Sequence, residues 1–422
     1  MTPEASRARC PGGSSVPRSA PRPARESRGW KAGSLAFLVL ATAIALPTCL
    51  GVLAVDITAE LTMTDADLGL VVSGFWAVTA LAAPVAGRWI DRAGWPIGAR
   101  LGSVVVAACL AACALFVDSW PALLLVVAVS GIGYGLCSPT SNLLVMALVP
   151  PARHASMLGM KQTAPPLLMA AAGATLPGLA HLLDWRATMA IVGALPMAVL
   201  LLIGIRSYRP GSNGVPRDRP APAARRAERR ALAPLVIASG LGTFSVATIT
   251  GFAVLTLVSA GLSPVVAAGV VSGGSLLAVL IRVAGGRYLD ARPAADVKPL
   301  LVMMLLASVT LTLVAAGVVG LDAADGAGVF WRVMVVVGVV LALVAAWTWP
   351  ALLLITVVRS VSAPGSASGT IQLGSGLGSA VGPSVFGVLS DAGGRGWAWA
   401  AMAVATVAAM ALVRFARSLA EG

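Results

Sequence analysis

An all-α, polytopic membrane protein with twelve transmembrane helices in two six-helix bundles is the fold class this sequence predicts, and three observations predict it. The 422 residues are 58% hydrophobic and only 11% charged, where a soluble domain carries roughly 25% charged residues. Uncharged stretches on the scale of a membrane crossing recur along the whole chain. The remaining charges are sorted by sign between alternate connections. A soluble fold this poor in charge has no means of covering its surface, and the short alternating strands of a β-barrel are not visible.

A helix needs about 20 apolar residues to cross ~30 Å of hydrocarbon. Uncharged runs occupy 32–55, 68–87, 101–117, 119–152, 162–183, 187–205, 231–281, 299–321, 333–358, 360–390 and 396–413. The run 231–281 holds two crossings, with Gly261-Leu-Ser-Pro264 as the natural break, which makes twelve. Residues 1–32 carry Arg7, Arg9, Arg18, Arg22, Arg25, Arg28 and Lys31 and read as a disordered basic tail. The apolar run that follows is too long for the core of a signal peptide. Residues 208–230, rich in Arg, Pro and Gly, read as a linker between bundles at 33–207 and 231–418.

Charge sets the orientation. With the N-terminus in the cytoplasm, the cytoplasmic segments hold 25 of the 30 basic residues, as the positive-inside rule requires. Only Arg186 and Arg395 fall outside, and Lys161, Arg282 and Arg332 lie at membrane depth. The outer side collects Asp56, Glu60, Asp65, Asp67, Asp118, Asp184, Asp322, Asp325 and Asp391. This points to a cytoplasmic membrane, both termini cytoplasmic, with the lipid bilayer rather than nucleic acid as the partner of the net positive charge of +13. The five cysteines form no CxxC and the two histidines stand alone, so neither a disulfide framework, a metal site nor any other cofactor is expected.

The two halves repeat each other. Gly87-Arg-Trp-Ile-Asp91-Arg92-Ala-Gly94 after the second run returns as Gly286-Arg-Tyr-Leu-Asp290-Ala-Arg292 after the eighth. Ser156-x-x-Gly159-x-x-Gln162 returns as Ser366-x-x-Gly369-x-x-Gln372, and Pro139 pairs with Pro350. Duplicated six-crossing units place a binding site between them. With Gly87, Asp91, Arg92 and Gly94 in place, the chain resembles the major facilitator superfamily, whose signature between the second and third crossings is Gly-x-x-x-Asp-Arg-x-Gly followed by basic residues. Trp95 and Pro96 stand where the basic pair is usual, and Arg100 is the nearest later cation. The resemblance implies a transporter, not an enzyme, that works by alternating access. It also implies a gating role for Gly87, Asp91, Arg92, Gly94, Arg100, Gly286, Asp290 and Arg292. In that reading Gly87 allows close helix approach and Asp91 pairs with a cation or a helix N-terminus.

Other motifs are softer. Gly131-x-Gly133-x-Gly135 resembles a superfamily glycine motif without its preceding arginine, and close packing through small residues explains it as well. Gly378-x-x-x-Gly382-Pro383 resembles the kink of antiporters, which they carry in the fifth crossing; here the fifth crossing has Pro177-Gly178, in inverted order. Lys161-Gln162-Thr163 resembles a variant of bacterial superfamily members regarded as solute carriers.

Ionisable groups at membrane depth are functional suspects. Lys161 and Arg282, with no deep carboxylate to match them, suit an anionic substrate; the alternative is snorkelling to the interface. Gln162 and Gln372 occupy equivalent places in the repeat and supply hydrogen bonds, to a ligand or between helices. Tyr134, Asn142, Trp347 and Trp349 complete the candidate cavity. Asp56 is the one acid near a crossing of the first half that is placed to carry a coupling proton, as in a symporter; a uniporter or exchanger needs none. The sequence therefore predicts a monomeric secondary transporter of a small solute, an organic anion for preference. Proton-coupled efflux of drugs or metabolites is the alternative. No Walker A motif or catalytic pairing of histidine argues for an ATP-driven pump or an embedded enzyme.

Overall fold

The computed structural model describes residues 22–150, 153–204, 222–290, 297–324, 328–360 and 364–421. Among the described residues all regular structure is helical. The first bundle contains α1 (Arg22–Val52), the short α2 (Ala54–Glu60), α3 (Asp65–Ala93), α4 (Trp95–Leu115) and α5 (Trp120–Leu148). Its fifth crossing is broken into α6 (His154–Lys161) and α7 (Ala164–Leu182), and its sixth into α8 (Trp185–Val192) and α9 (Ala194–Ile203). The second bundle contains α10 (Pro222–Ser259), α11 (Pro264–Asp290), α12 (Lys298–Ala323), α13 (Val329–Ser360), α14 (Pro364–Gly393) and α15 (Arg395–Glu421).

Eleven of these crossings are long and apolar enough to span a membrane. The fifth is the exception, because Pro165, Pro166, Pro177 and His181 dilute the apolar content of α7. Its path from the end where α5 stops to the end where α8 starts makes it the twelfth. Helix α1 begins at Arg22 and α10 at Pro222, so the segments expected as tail (1–32) and linker (208–230) are helical in part. Residues 1–21 and 205–221 lie outside the described residues.

The helices stop and start where local chemistry allows. Thr64 and Asp67 form a reciprocal capping box at the start of α3, the Thr64 hydroxyl accepting from the Asp67 amide at 3.2 Å and the Asp67 carboxylate from the Thr64 amide at 2.9 Å. The turn from α3 to α4 is made by Gly94 at φ 88° and that from α14 to α15 by Gly394 at φ 89°, a backbone conformation that glycine adopts without steric cost.

Small residues bring the helices close. A Cβ added to Gly131 or Gly135 of α5 would collide with the α3 backbone, and one at Gly133 with Val106 of α4; packing accounts for this glycine motif. Helix α14 is smooth on two sides. Gly374, Gly378 and Gly382 lie against Val236, Gly240 and Phe244 of α10, while Gly376 and Gly387 meet Ala80 and Asp65–Ala66 of α3. One core cluster lies within α1–α9, a second within α10–α15, and the largest runs through both.

Candidate functional site

The crossings alternate in direction, which gives the molecule two ends. One carries Asp56, Glu60, Asp65, Asp67, Asp118, Asp184 and Asp391; the other carries Arg88, Arg92, Arg100, Arg153, Lys298 and Arg414. We call them the acidic and basic ends. The bundles meet along three helix pairs, α3–α14, α1–α10 and α7–α11.

These contacts are concentrated toward the acidic end. Gly69 of α3 abuts the Pro383 carbonyl of α14, and Gly51 of α1 the Thr250 carbonyl of α10. The Ser384 amide, just after Pro383, donates to the Ser73 hydroxyl across the seam at 3.0 Å. On the third pair, Ser272 of α11 donates to the Ala170 carbonyl at 2.6 Å, and Gly173 sits against Ala268.

Toward the basic end the seam opens. Gly69, Ser73, Ala80, Gly87 and Asp91 lie on one face of α3, since eighteen residues (Gly69 to Gly87) make about five turns. A Cβ at Gly376 of α14 would still stand 3.2 Å from Ala80. Beyond that level, a Cβ at Gly87 meets nothing within 4 Å among the described residues, and Asp91 and Arg92 are exposed. The close approach expected at Gly87 is therefore not made by the described residues. On α14, Gln372 lies one turn beyond Gly376 on the same face and is exposed. The repeat copy of the motif falls at the end of α11, where the side chains of Gly286 and Asp290 are outside the described residues, as is Arg292 altogether. Arg100 is engaged within the first bundle, its guanidinium donating to the Gly204 carbonyl at the end of α9.

Lys161 is buried to 2% exposure, which excludes snorkelling to the membrane surface. Its ammonium donates to the Ser141 hydroxyl of α5 at 2.8 Å, and that hydroxyl donates to the Ser138 carbonyl at 2.7 Å. The Tyr134 phenol, a turn further along α5, is within hydrogen-bonding reach of Ser138. Its ring packs edge-on against Phe75 and Trp76 of α3, at centroid distances of 5.8 and 5.4 Å. Tyr134, Ser138, Ser141 and Lys161 thus form a polar track through an apolar bundle, whose lysine and tyrosine the sequence picked out and whose serines it did not.

Arg282 is half-buried on α11. Measured from the Ala170–Ser272 contact, Lys161 and Arg282 lie nine and ten residues toward the basic end, roughly 14–15 Å, so the two cations share one depth. Among the described residues neither has a carboxylate partner. Gln162 is half-buried at the break between α6 and α7, and Asn142 is exposed on α5. Trp347 is half-buried and Trp349 fully so, packed on Gly242 of α10; each has an indole N–H without a partner among the described residues. Asp56 sits on α2 at the acidic end, where neighbouring protein displaces part of its water and pushes its carboxyl above the usual range.

The two exceptions to the charge asymmetry are both neutralised. Arg186 pairs with Glu60 and also donates to the Val117 carbonyl at 2.6 Å, all within the first bundle. Arg395 chelates Asp65 through Nε at 2.7 Å and Nη2 at 2.8 Å, across the two bundles. A basic residue that breaks a charge rule is a signal for a carboxylate partner, and it was available in the sequence. Arg332 donates to the Ala260 carbonyl at 2.8 Å, a cation at a helix C-terminus.

Twelve crossings in two six-helix bundles that meet along three helix pairs define a polytopic membrane transporter. The chain belongs to the Major Facilitator Superfamily, whose sequence profile matches residues 34–321. Among solved structures it is similar to the nucleoside transporter NupG in its D323A form, at TM-score 0.70 and 17% identity over 92% of this chain and 99% of that one. It is also similar to a bacterial homologue of the human lysosomal transporter Spinster in an inward-facing, unoccupied conformation, at TM-score 0.68 and 18% identity over 94% and 96%. At these identities the likeness is one of fold. No curated protein sequence matches the chain.

Proposed function

We propose that the protein is a secondary transporter of the cytoplasmic membrane that carries a small organic anion by alternating access, as a monomer, with both termini cytoplasmic and protons as the coupling ion. The observation that carries the reading is the contrast between the ends. One face of α3 and one face of α14 are in contact at the acidic end; toward the basic end a Cβ at Gly87 meets nothing within 4 Å among the described residues, and Asp91 and Gln372 on the same faces are exposed. With the basic end cytoplasmic, as the positive-inside rule supports, this is an inward-facing state with its cytoplasmic gate open. The shared depth of Lys161 and Arg282 within the fold, and their lack of carboxylate partners among the described residues, support an anion as the missing counter-charge. An uncompensated cation in low dielectric is costly, and a bound carboxylate relieves that cost. Gln162, Gln372, Tyr134, Asn142 and Trp347 supply its hydrogen-bonding and packing surroundings, and Asp56 is the acid at the outer mouth.

The test is uptake into proteoliposomes of purified protein, screening radiolabelled organic anions, with nucleosides as the neutral comparison suggested by NupG, with and without an inward proton gradient. Gradient-driven accumulation of an anion that is lost in Lys161→Ala and Arg282→Ala supports the reading. Accumulation of no anion, together with resistance of expressing cells to toxic compounds, overturns it in favour of efflux.

A further inference from the structure

We propose that Asp65, Asp391 and Arg395 form a charged lock that holds the acidic ends of the two bundles together, and that its release is the step that opens this end. Three features assign the role. The first is where the contacts lie. Asp65 begins α3 in the first bundle; Asp391 is near the end of α14 and Arg395 begins α15, both in the second. The lock sits at the extremity of the α3–α14 pair, where a rocking motion produces the largest displacement. The Glu60–Arg186 pair at the same end lies inside one bundle and holds nothing between them.

The second is chemistry. Arg395 grips both carboxylate oxygens of Asp65 at 2.7 and 2.8 Å, the two-pronged geometry of the strongest protein hydrogen bonds. Ser390 donates to the same carboxylate. In the other direction, the Asp391 carboxylate accepts from the Asp65 and Ala66 amides at 3.1 and 3.0 Å. These are first-turn amides of α3, which have no partner within the helix and present positive charge. The capping box of α3 occupies the Thr64 and Asp67 amides and leaves those of Asp65 and Ala66. The first bundle therefore leaves two helix-end donors for the second bundle to satisfy.

The third is reversibility. Asp65 is 13% and Arg395 24% exposed, so water stands ready to replace each partner when they part. Gly387 and Gly69 remove side chains from the seam directly beneath. The surfaces there are smooth apart from the hydrogen bonds of Ser384 to Ser73 and Gly69, and the charged attraction is gathered at the tip.

The test is distance measurement by electron spin resonance in lipid nanodiscs, with labels at Ser119 and Ala323 and the five native cysteines replaced. Both positions are exposed at the acidic end, one in each bundle, away from the lock. The otherwise unaltered protein is expected to give one short-distance population. Two charge-assisted contacts are each worth about tenfold or more, so Asp391→Asn with Arg395→Gln should raise the open-to-closed ratio by about 100-fold and bring in a longer distance. Arg395→Lys keeps the charge but cannot grip both oxygens, and it should give an intermediate distribution even if the double variant cannot be purified. Glu60→Gln should leave the distribution unchanged. A short-distance population identical to the starting protein in the double variant, or in Arg395→Lys where only that one folds, overturns the proposal. The lock rests on the two bundles moving against each other, but the readout requires no substrate, so a wrong assignment of the solute does not decide it.

Discussion

Replacing Lys161 by methionine separates what this residue does for folding from what it does for transport. The lysine side chain is among the largest fully buried ones in the molecule, and its one described polar partner is the Ser141 hydroxyl. An amine there is expensive in either protonation state: charged, it lacks a counter-ion; neutral, it has given up its proton. Replacing buried charge by a well-packed apolar side chain gains on the order of 1–4 kcal/mol. Against this stands the lost hydrogen bond from a charged donor, about 1.5–3 kcal/mol. Ser141 keeps its bond to the Ser138 carbonyl, so no donor is orphaned, and methionine fills nearly the same volume. Lys161→Met should therefore stay within about 2 kcal/mol of the parent, whereas Lys161→Ala also leaves a cavity and should be about 2–5 kcal/mol less stable than Lys161→Met. Anion uptake should fail in both. Thermal unfolding of the purified protein, followed by tryptophan fluorescence beside the uptake assay, checks the ordering. If Lys161→Met unfolds as early as Lys161→Ala, the amine is holding the bundle together, and the argument that it is an unsatisfied binding group fails.

Two further outcomes are expected. With Cys10 replaced, Gln372→Cys should react with a membrane-impermeant thiol reagent applied from the basic end, while Ser73→Cys, on the closed part of the seam, should not react from either side; Cys49, Cys109, Cys113 and Cys137 are buried and add little background. Labelling of both positions alike would refute the open-end assignment. Hydrogen bonding from Arg186 holds the Glu60 carboxyl below the usual glutamate range, so its contribution is present above the ordinary glutamate pKa and is lost as pH falls through the lowered value. Glu60 is about half exposed and solvent screens the pair, which limits it to about 1 kcal/mol. Melting curves of the parent and Glu60→Gln should differ slightly at neutral pH and converge in acid.

The crossings were legible because membrane helices need only long uncharged runs, a signal that short-range detail does not erase. The same rule found the fifth crossing as the run 162–183, although prolines lower the hydropathy of α7, but it gave no sign of the break at Gln162–Thr163. Helical starts at Arg22 and Pro222 were not legible either, because basic and proline-containing segments read as linkers from composition alone. At the site, Lys161, Arg282 and Tyr134 stood out as polar groups in apolar surroundings, but Ser138 and Ser141 did not, since serine is common in packed membrane helices. The Asp65–Arg395 pair joins positions 330 residues apart; no local pattern encodes such a partner, although the solitary arginine on an acidic side marked one end of it.

Helix α14 carries glycine on both of its working sides, toward α10 and toward α3. In mechanical terms it is a plain bearing. Toward α3 little interlocks beyond the Ser384–Ser73 hydrogen bond, so sliding against that neighbour meets little friction, whereas Phe386, seated between Phe252 of α10 and Trp399 of α15, keys the helix to its own bundle. A shaft of this kind stores no preference for where it stops. The resting positions have to be fixed by catches at its two tips, and substitutions that roughen the shaft should slow the passage between positions without choosing which is occupied.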